Sequence, residues 1–201
     1  MNIYTTRDIS EAVHKELTNV LTDQFEIKED YQIIQKSFYA PSMVQLFADA
    51  NEWATPYLLD ASKYLLALAA SNTLTKIWHL RKEINNRMNE KPFAPLKKVV
   101  NSLNQAKSKS REDTQIIIGL PIPHKYFGTV LVIEYREEYE LAWFMANFIV
   151  KAQTIEDAIN SEISKDNNPL GGINIKLLED NSIELSWKRQ KDFQIIRITV
   201  E

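Results

Sequence analysis

The chain has 201 residues, enough for one large domain or two small ones with a proper core. Its 44% hydrophobic and 25% charged residues are the balance of an ordinary globular protein. The absence of cysteine excludes disulfides, thiolate zinc sites, iron–sulfur clusters and cysteine nucleophiles. The net charge of −3 is unevenly spread: between Thr73 and Arg111 ten basic residues face only Glu83 and Glu90, a net of +8, so the remainder carries −11.

Asn2–Thr6 reads as a first strand. Asp8 then opens a helix, with Glu11 three residues on as an approximate capping box. Ile9, Val13, Leu17, Val20 and Leu21 recur at helical spacing and give that helix one buried face. Phe25–Lys28 and Tyr31–Phe38 follow as strands, so residues 1–40 form a β-α-β unit, with an extra strand. The first eight residues turn polar at once, unlike a signal peptide, and a cytoplasmic location is expected.

From Pro41 to about Lys109 the sequence has no glycine and reads as wholly helical. Four helices are expected, at Ser42–Asn51, Pro56–Ala70, Thr73–Asn89 and Pro95–Ser108, with prolines at or before two of their starts. Residues 41–110 are thus an all-helical insert with a basic surface. The run Trp53–Leu74 has the length of a spanning helix, but Asp60 and Lys63 sit near its middle, which favours a core helix.

Residues 111–201 return to mixed structure, in the order β-β-α-β-β-β. Gln115–Leu120 holds the run Ile116–Ile117–Ile118, as in a strand buried on both faces, and Thr129–Tyr135 is a second strand. Glu137–Ser164 is a long helix whose first half is apolar on nearly every side. Such a helix is buried all round, so it is expected between the sheet and the helical segment. Ile173–Leu177 and Ile183–Trp187 alternate as a hairpin about the turn Glu179–Asn181. In the last strand, Phe193–Val200, the alternation slips at Ile195–Ile196, which predicts a bulge or two partly covered faces. The fold class expected is α+β, the two sheet-forming halves sharing or packing one mixed sheet.

No catalytic or cofactor motif stands out. The only paired glycines are Gly171–Gly172, so no phosphate-cradling loop is expected. His14, His79 and His124 lie on three different elements without metal-binding spacing, and no metal or other cofactor is expected. Glu137, Glu138 and Glu140 crowd a helix start, where the helix dipole favours them. The loop residues His124, Lys125 and Tyr126 form a minor candidate for anion binding or proton transfer, and a turn that happens to be polar explains them better.

The basic segment is the main candidate. Lys76, Lys82, Arg87, Lys97 and Lys98 are expected on one exposed face, since only convergent cations sum into a useful field. The competing reading is a solvated face, or pairing with the chain's own acidic parts. The expectation is a non-enzymatic regulatory or adaptor protein that binds a protein partner through this insert. A nucleic acid or other polyanion, a membrane met through helix 53–74, and an enzyme site assembled near His124 are the alternatives. Binding of a polyanion would show as affinity falling steeply with salt.

Overall fold

The computed structural model describes residues 1–6, 9–28, 32–34, 43–71, 77–110, 114–121, 129–133, 137–163, 169–189 and 191–200. Within these, 32–34, 69–71, 77–80, 83, 129–133, 163 and 169–171 are described by their backbone. The fold is α+β. Among the described residues eight strands run in chain order as β1 (Asn2–Thr6), β2 (Gln32–Ile34), β3 (Met43–Phe47), β4 (Gln115–Gly119), β5 (Thr129–Ile133), β6 (Pro169–Leu177), β7 (Ile183–Arg189) and β8 (Ile195–Val200). The helices are α1 (Glu11–Leu21), α2 (Ala50–Trp53), α3 (Pro56–Ser71), α4 (Ile77–Arg87), α5 (Ala94–Lys109) and α6 (Glu138–Ile163), with a 3-10 turn at Lys91–Phe93 before α5.

The strands form one mixed sheet in the order β2-β1-β3-β4-β5-β6-β7-β8. The two halves of the chain therefore share a sheet. Its parallel neighbours are β1 with β2, β3 with β4, and β5 with β6. Each pair is joined by a helical crossover, because parallel strands cannot be linked by a tight turn. The first crossover is α1, the second is α2 to α5, and the third is α6.

Strand alternation sorts side chains onto two faces. Ile3, Val44, Leu46, Ile116, Ile118, Ile173, Ile175, Leu185 and Trp187 enter one core with buried residues of the helices. The opposite face carries Tyr4, Gln45, Phe47 and Ile117 in the middle of the sheet, and Asn174, Lys176, Glu184, Ser186 and Arg197 towards β8. Ile117 is 3% exposed yet stands outside the helix-side core. The unbroken isoleucine run is thus a strand covered on both sides, as its composition indicated.

α6 lies as its sequence requires. Leu141, Ala142, Met145, Ala146, Phe148 and Ile149 are buried, and the helix packs against α2, α3, α4 and α5 on one side and β6 and β8 on the other. Phe144 is only partly buried. Phe148, Ile175 and Leu185 are buried, and the side chain of Ile133 lies outside the described residues.

Several expectations are corrected. The segment from Pro41 is not wholly helical: Met43–Phe47 is a strand, and the helical block begins at Ala50. Val44 and Leu46 point inward while Met43, Gln45 and Phe47 do not, a period of two hidden in a short apolar run that fits either structure. Sheet pairing on both sides, with β1 and with β4, decides it. Phe25–Lys28 is not a strand. It returns from α1 with Phe25 edge-on to Trp53 at 5.4 Å, and the Lys28 N–H reaches the Met1 carbonyl at 3.0 Å. The cap of α1 is Ser10, whose hydroxyl accepts from the Val13 N–H; Asp8 lies outside the described residues.

The last strand carries no bulge: β8 pairs with β7 in one continuous register from Lys188↔Ile195 to Ile183↔Val200. Ile195 simply falls on the face away from the helices. The irregularity sits in β6, between Leu170 and Asn174, where Gly172 has φ 91°. Only glycine takes that conformation freely.

Candidate binding surface on the helical block

α4, α5 and the start of α6 meet around a polar cleft of about 520 Å³. Asn85 and Asn89 come from the end of α4 and the turn after it; Lys97 and Asn101 come from α5. Glu137, Glu138 and Tyr139 form the opposite wall at the first turn of α6. The spacing explains the convergence. Lys97 and Asn101 are four apart and lie on one side of α5, and Asn85 and Asn89, also four apart, close α4 and the turn after it. The buried stripe of α5, from Leu96 through Val99, Val100 and Leu103, orients that side outward.

Within the cleft, Lys97 donates its ammonium to the Asn89 side-chain carbonyl. The Glu137 backbone N–H donates to Glu140 Oε2 at 3.0 Å, capping α6 and fixing the acidic wall. Arg81 reaches Glu137 Oε2 at 2.6 Å and stacks over the Tyr139 ring at 5.6 Å. Burial pushes the Tyr139 phenol up from its ordinary value. The Glu140 and Glu137 charges add to the shift and Arg81 opposes it.

Two of the cations singled out from the sequence make ion pairs with the chain's own carboxylates. Lys98 pairs with Asp23 at 3.1 Å, and Arg87 pairs with Glu90 at 3.3 Å beside the Tyr64 hydroxyl. Lys109, from the same basic segment, pairs with Glu16. Lys97 faces the cleft. Lys82 is exposed and makes no ion pair among the described residues. Lys76 lies outside the described residues, as do His124, Lys125 and Tyr126. Thus Lys97 enters the cleft, Arg87 and Lys98 are taken up by carboxylates, and Lys82 stands on the solvent side of α4.

The charge pattern does not single out these asparagines, which carry no charge; the i, i+4 spacing of Asn85 and Asn89 is the available signal. A second groove, of about 680 Å³, runs between α1 and the segment after it, lined by His14, Thr18, Thr22, Phe25 and Lys28 among others. His14 is held below its ordinary value by burial, against a smaller opposing effect of Glu11.

Among the described residues no group of three or more His, Asp or Glu side chains could hold a metal ion. Nor is any helix among them long and apolar enough to cross a membrane. α3, the core of the run Trp53–Leu74, buries Leu58, Ala61 and Leu65 and packs on α6 and α5. Comparison of the chain with known protein families, with characterised proteins and with solved structures finds no match.

Proposed function

We propose that this chain is an adaptor that holds an extended segment of a partner protein in the cleft between α4, α5 and the start of α6. The observation that carries this reading is the amide lining. Each asparagine offers one carbonyl acceptor and two N–H donors, the complement of a peptide backbone that has an N–H and a C=O at every residue. Asn85, Asn89 and Asn101 present three such groups, with Lys97 on one wall and Glu138 on the other. Charge of both signs suits a polypeptide better than a uniformly negative backbone. The self-pairing of Arg87, Lys98 and Lys109 supports the same choice, since a polyanion site needs cations that converge.

The test is selection of peptides from a random displayed library against the intact chain, followed by affinity measurement on the enriched sequences. Asn85→Ala combined with Asn89→Ala should weaken them by about tenfold or more. Lys82→Glu should change their affinity by less than about threefold, because that side chain lies off the cleft. Failure to enrich any sequence overturns the reading. So does tighter binding of single-stranded DNA or RNA whose affinity falls steeply with salt and is lost in Lys82→Glu.

A further inference from the structure

Among the described residues β8 is the last strand of the sheet and has a neighbour only on its β7 side. The N–H of Arg189 donates to the carbonyl of Gln194 at 2.8 Å, which makes 189 and 194 a hydrogen-bonded pair. In an antiparallel ladder such pairs alternate. Ile196, Ile198 and Val200 therefore turn their backbone groups towards β7, and Ile195, Arg197 and Thr199 turn theirs outward along the open edge. Natural sheets protect such edges with proline, bulges, inward charges or a covering element. Here the register is continuous and the strand holds no proline. Ile195 is 62% exposed and Phe193, just before it, 64%. On the helix side Ile196 and Ile198 are only partly covered.

We infer that β8 pairs antiparallel with β8 of a second copy of this chain, making one continuous sheet across a two-fold axis. The sequence limits the register. With both copies showing the same face, residues of equal parity must stand opposite, so the axis passes through a residue. Centring it on Arg197 would set two guanidinium groups directly opposite, which is unfavourable. Centring it on Ile198 sets Ile196 opposite Val200 of the second copy and Ile198 opposite itself. That places an apolar row over the helix side of the core.

The same register gives Arg197 a partner. On the outer face it stands opposite Thr199 of the second copy, and Thr199 is the neighbour of Glu184 on β7. Strands lie about 4.8 Å apart, so the long guanidinium side chain can cross the small threonine to that carboxylate. Within one copy neither Arg197 nor Glu184 makes an ion pair among the described residues. The pairing satisfies both, twice, by symmetry.

Sedimentation of the full chain near about 100 µM should show a dimer, within the micromolar range of a modest interface. Arg197→Glu should weaken it by about tenfold or more, and adding Glu184→Lys should restore it. The absence of cysteine makes a second readout clean. Ile198→Cys should form an intermolecular disulfide under mild oxidation. Arg197→Cys should not, because its copy lies two residues away along the strand, beyond about 7 Å. A monomer at that concentration overturns the inference. So does a dimer untouched by Arg197→Glu, or one that cross-links through Arg197→Cys in preference to Ile198→Cys. If Ile198→Cys fails to fold, the charge exchange at two surface positions decides alone.

Discussion

Trp53 donates its indole N–H to the main-chain carbonyl of Gly119, 3.0 Å away and buried. The bond joins α2, the first helix of the second crossover, to the end of β4, the strand that crossover leads into. The same carbonyl also accepts the Ala48 N–H at 3.3 Å. The indole packs edge-on to both Phe25 and Phe148 at 5.4 Å. One side chain therefore ties the return from α1, the crossover, the sheet and α6.

Trp53→Phe should keep most of the packing and lose the bond, costing about 1–3 kcal/mol. Phe148→Ala, at a site 1% exposed, should cost about 3–5 kcal/mol. Combining Trp53→Ala with Phe148→Ala should reveal a coupling of about 0.5–1.5 kcal/mol from the edge-to-face contact. Urea denaturation of the parent chain, the three single variants and the double variant measures all three quantities. Strict additivity would remove Trp53 as the link between α2 and α6.

His14 gives the fold a pH dependence of known sign. Burial holds its folded-state value below the ordinary 6.5, so the fold favours the neutral ring. Between the folded and unfolded values the unfolded chain binds more protons, and stability falls as pH falls through that window. The contribution is complete above about pH 6.5 and lost once the pH drops below the folded value. His14→Gln should flatten the melting temperature against pH from about 7 down to about 5. An unchanged slope would assign the dependence to another group.

Phe193 has φ 57°, in the left-handed region, at the turn into β8. Its ring stacks on Lys188, 4.9 Å from the ammonium, but remains mostly exposed. A Cβ in that conformation costs about 1–2 kcal/mol. Phe193→Gly should therefore be more stable than Phe193→Ala by about 1 kcal/mol, the reverse of the order expected inside a strand. Thermal unfolding of the two variants side by side checks it.

The ion pairs of the helical block should contribute little to stability. In Arg81–Glu137 the two side chains are 52% and 40% exposed. Glu137→Gln should cost less than about 1 kcal/mol at low salt and less still at about 1 M, where screening is nearly complete. The same change should bring the Tyr139 phenol back down towards its ordinary value, since Glu137 is among the charges that raise it. Titration followed by NMR of ring-labelled tyrosine reports the shift.

The sequence was most legible where one period dominated. The α5 stripe and the hairpin about Asn181 fall where their spacing places them, and α6 buries most of its apolar residues, with Phe144 only partly covered. Asn181, at φ 66°, also sits where a tight turn favours asparagine. Legibility failed at Met43–Phe47, where five residues fit a strand or a helical turn and only the flanking strands decide. It failed differently in the basic segment. Composition showed the excess charge, but whether Lys98 faces a partner or Asp23 depends on how α5 lies against α1, a contact between distant parts of the chain. The asparagine-lined cleft is likewise a property of three elements together. No single window of sequence contains it.

The placement of β3 beside β4 has a consequence for how the chain reaches its fold. Val44 must wait for Ile116, on the far side of the whole helical crossover, before that edge of β3 is closed. Local helix formation takes about a microsecond, whereas pairing between distant strands must first close a long loop. During synthesis, β1 and β3 leave the ribosome with an apolar strand edge open until β4 follows. On refolding, far-ultraviolet helical signal should recover before the amide protons of β3 and β4 become protected from exchange.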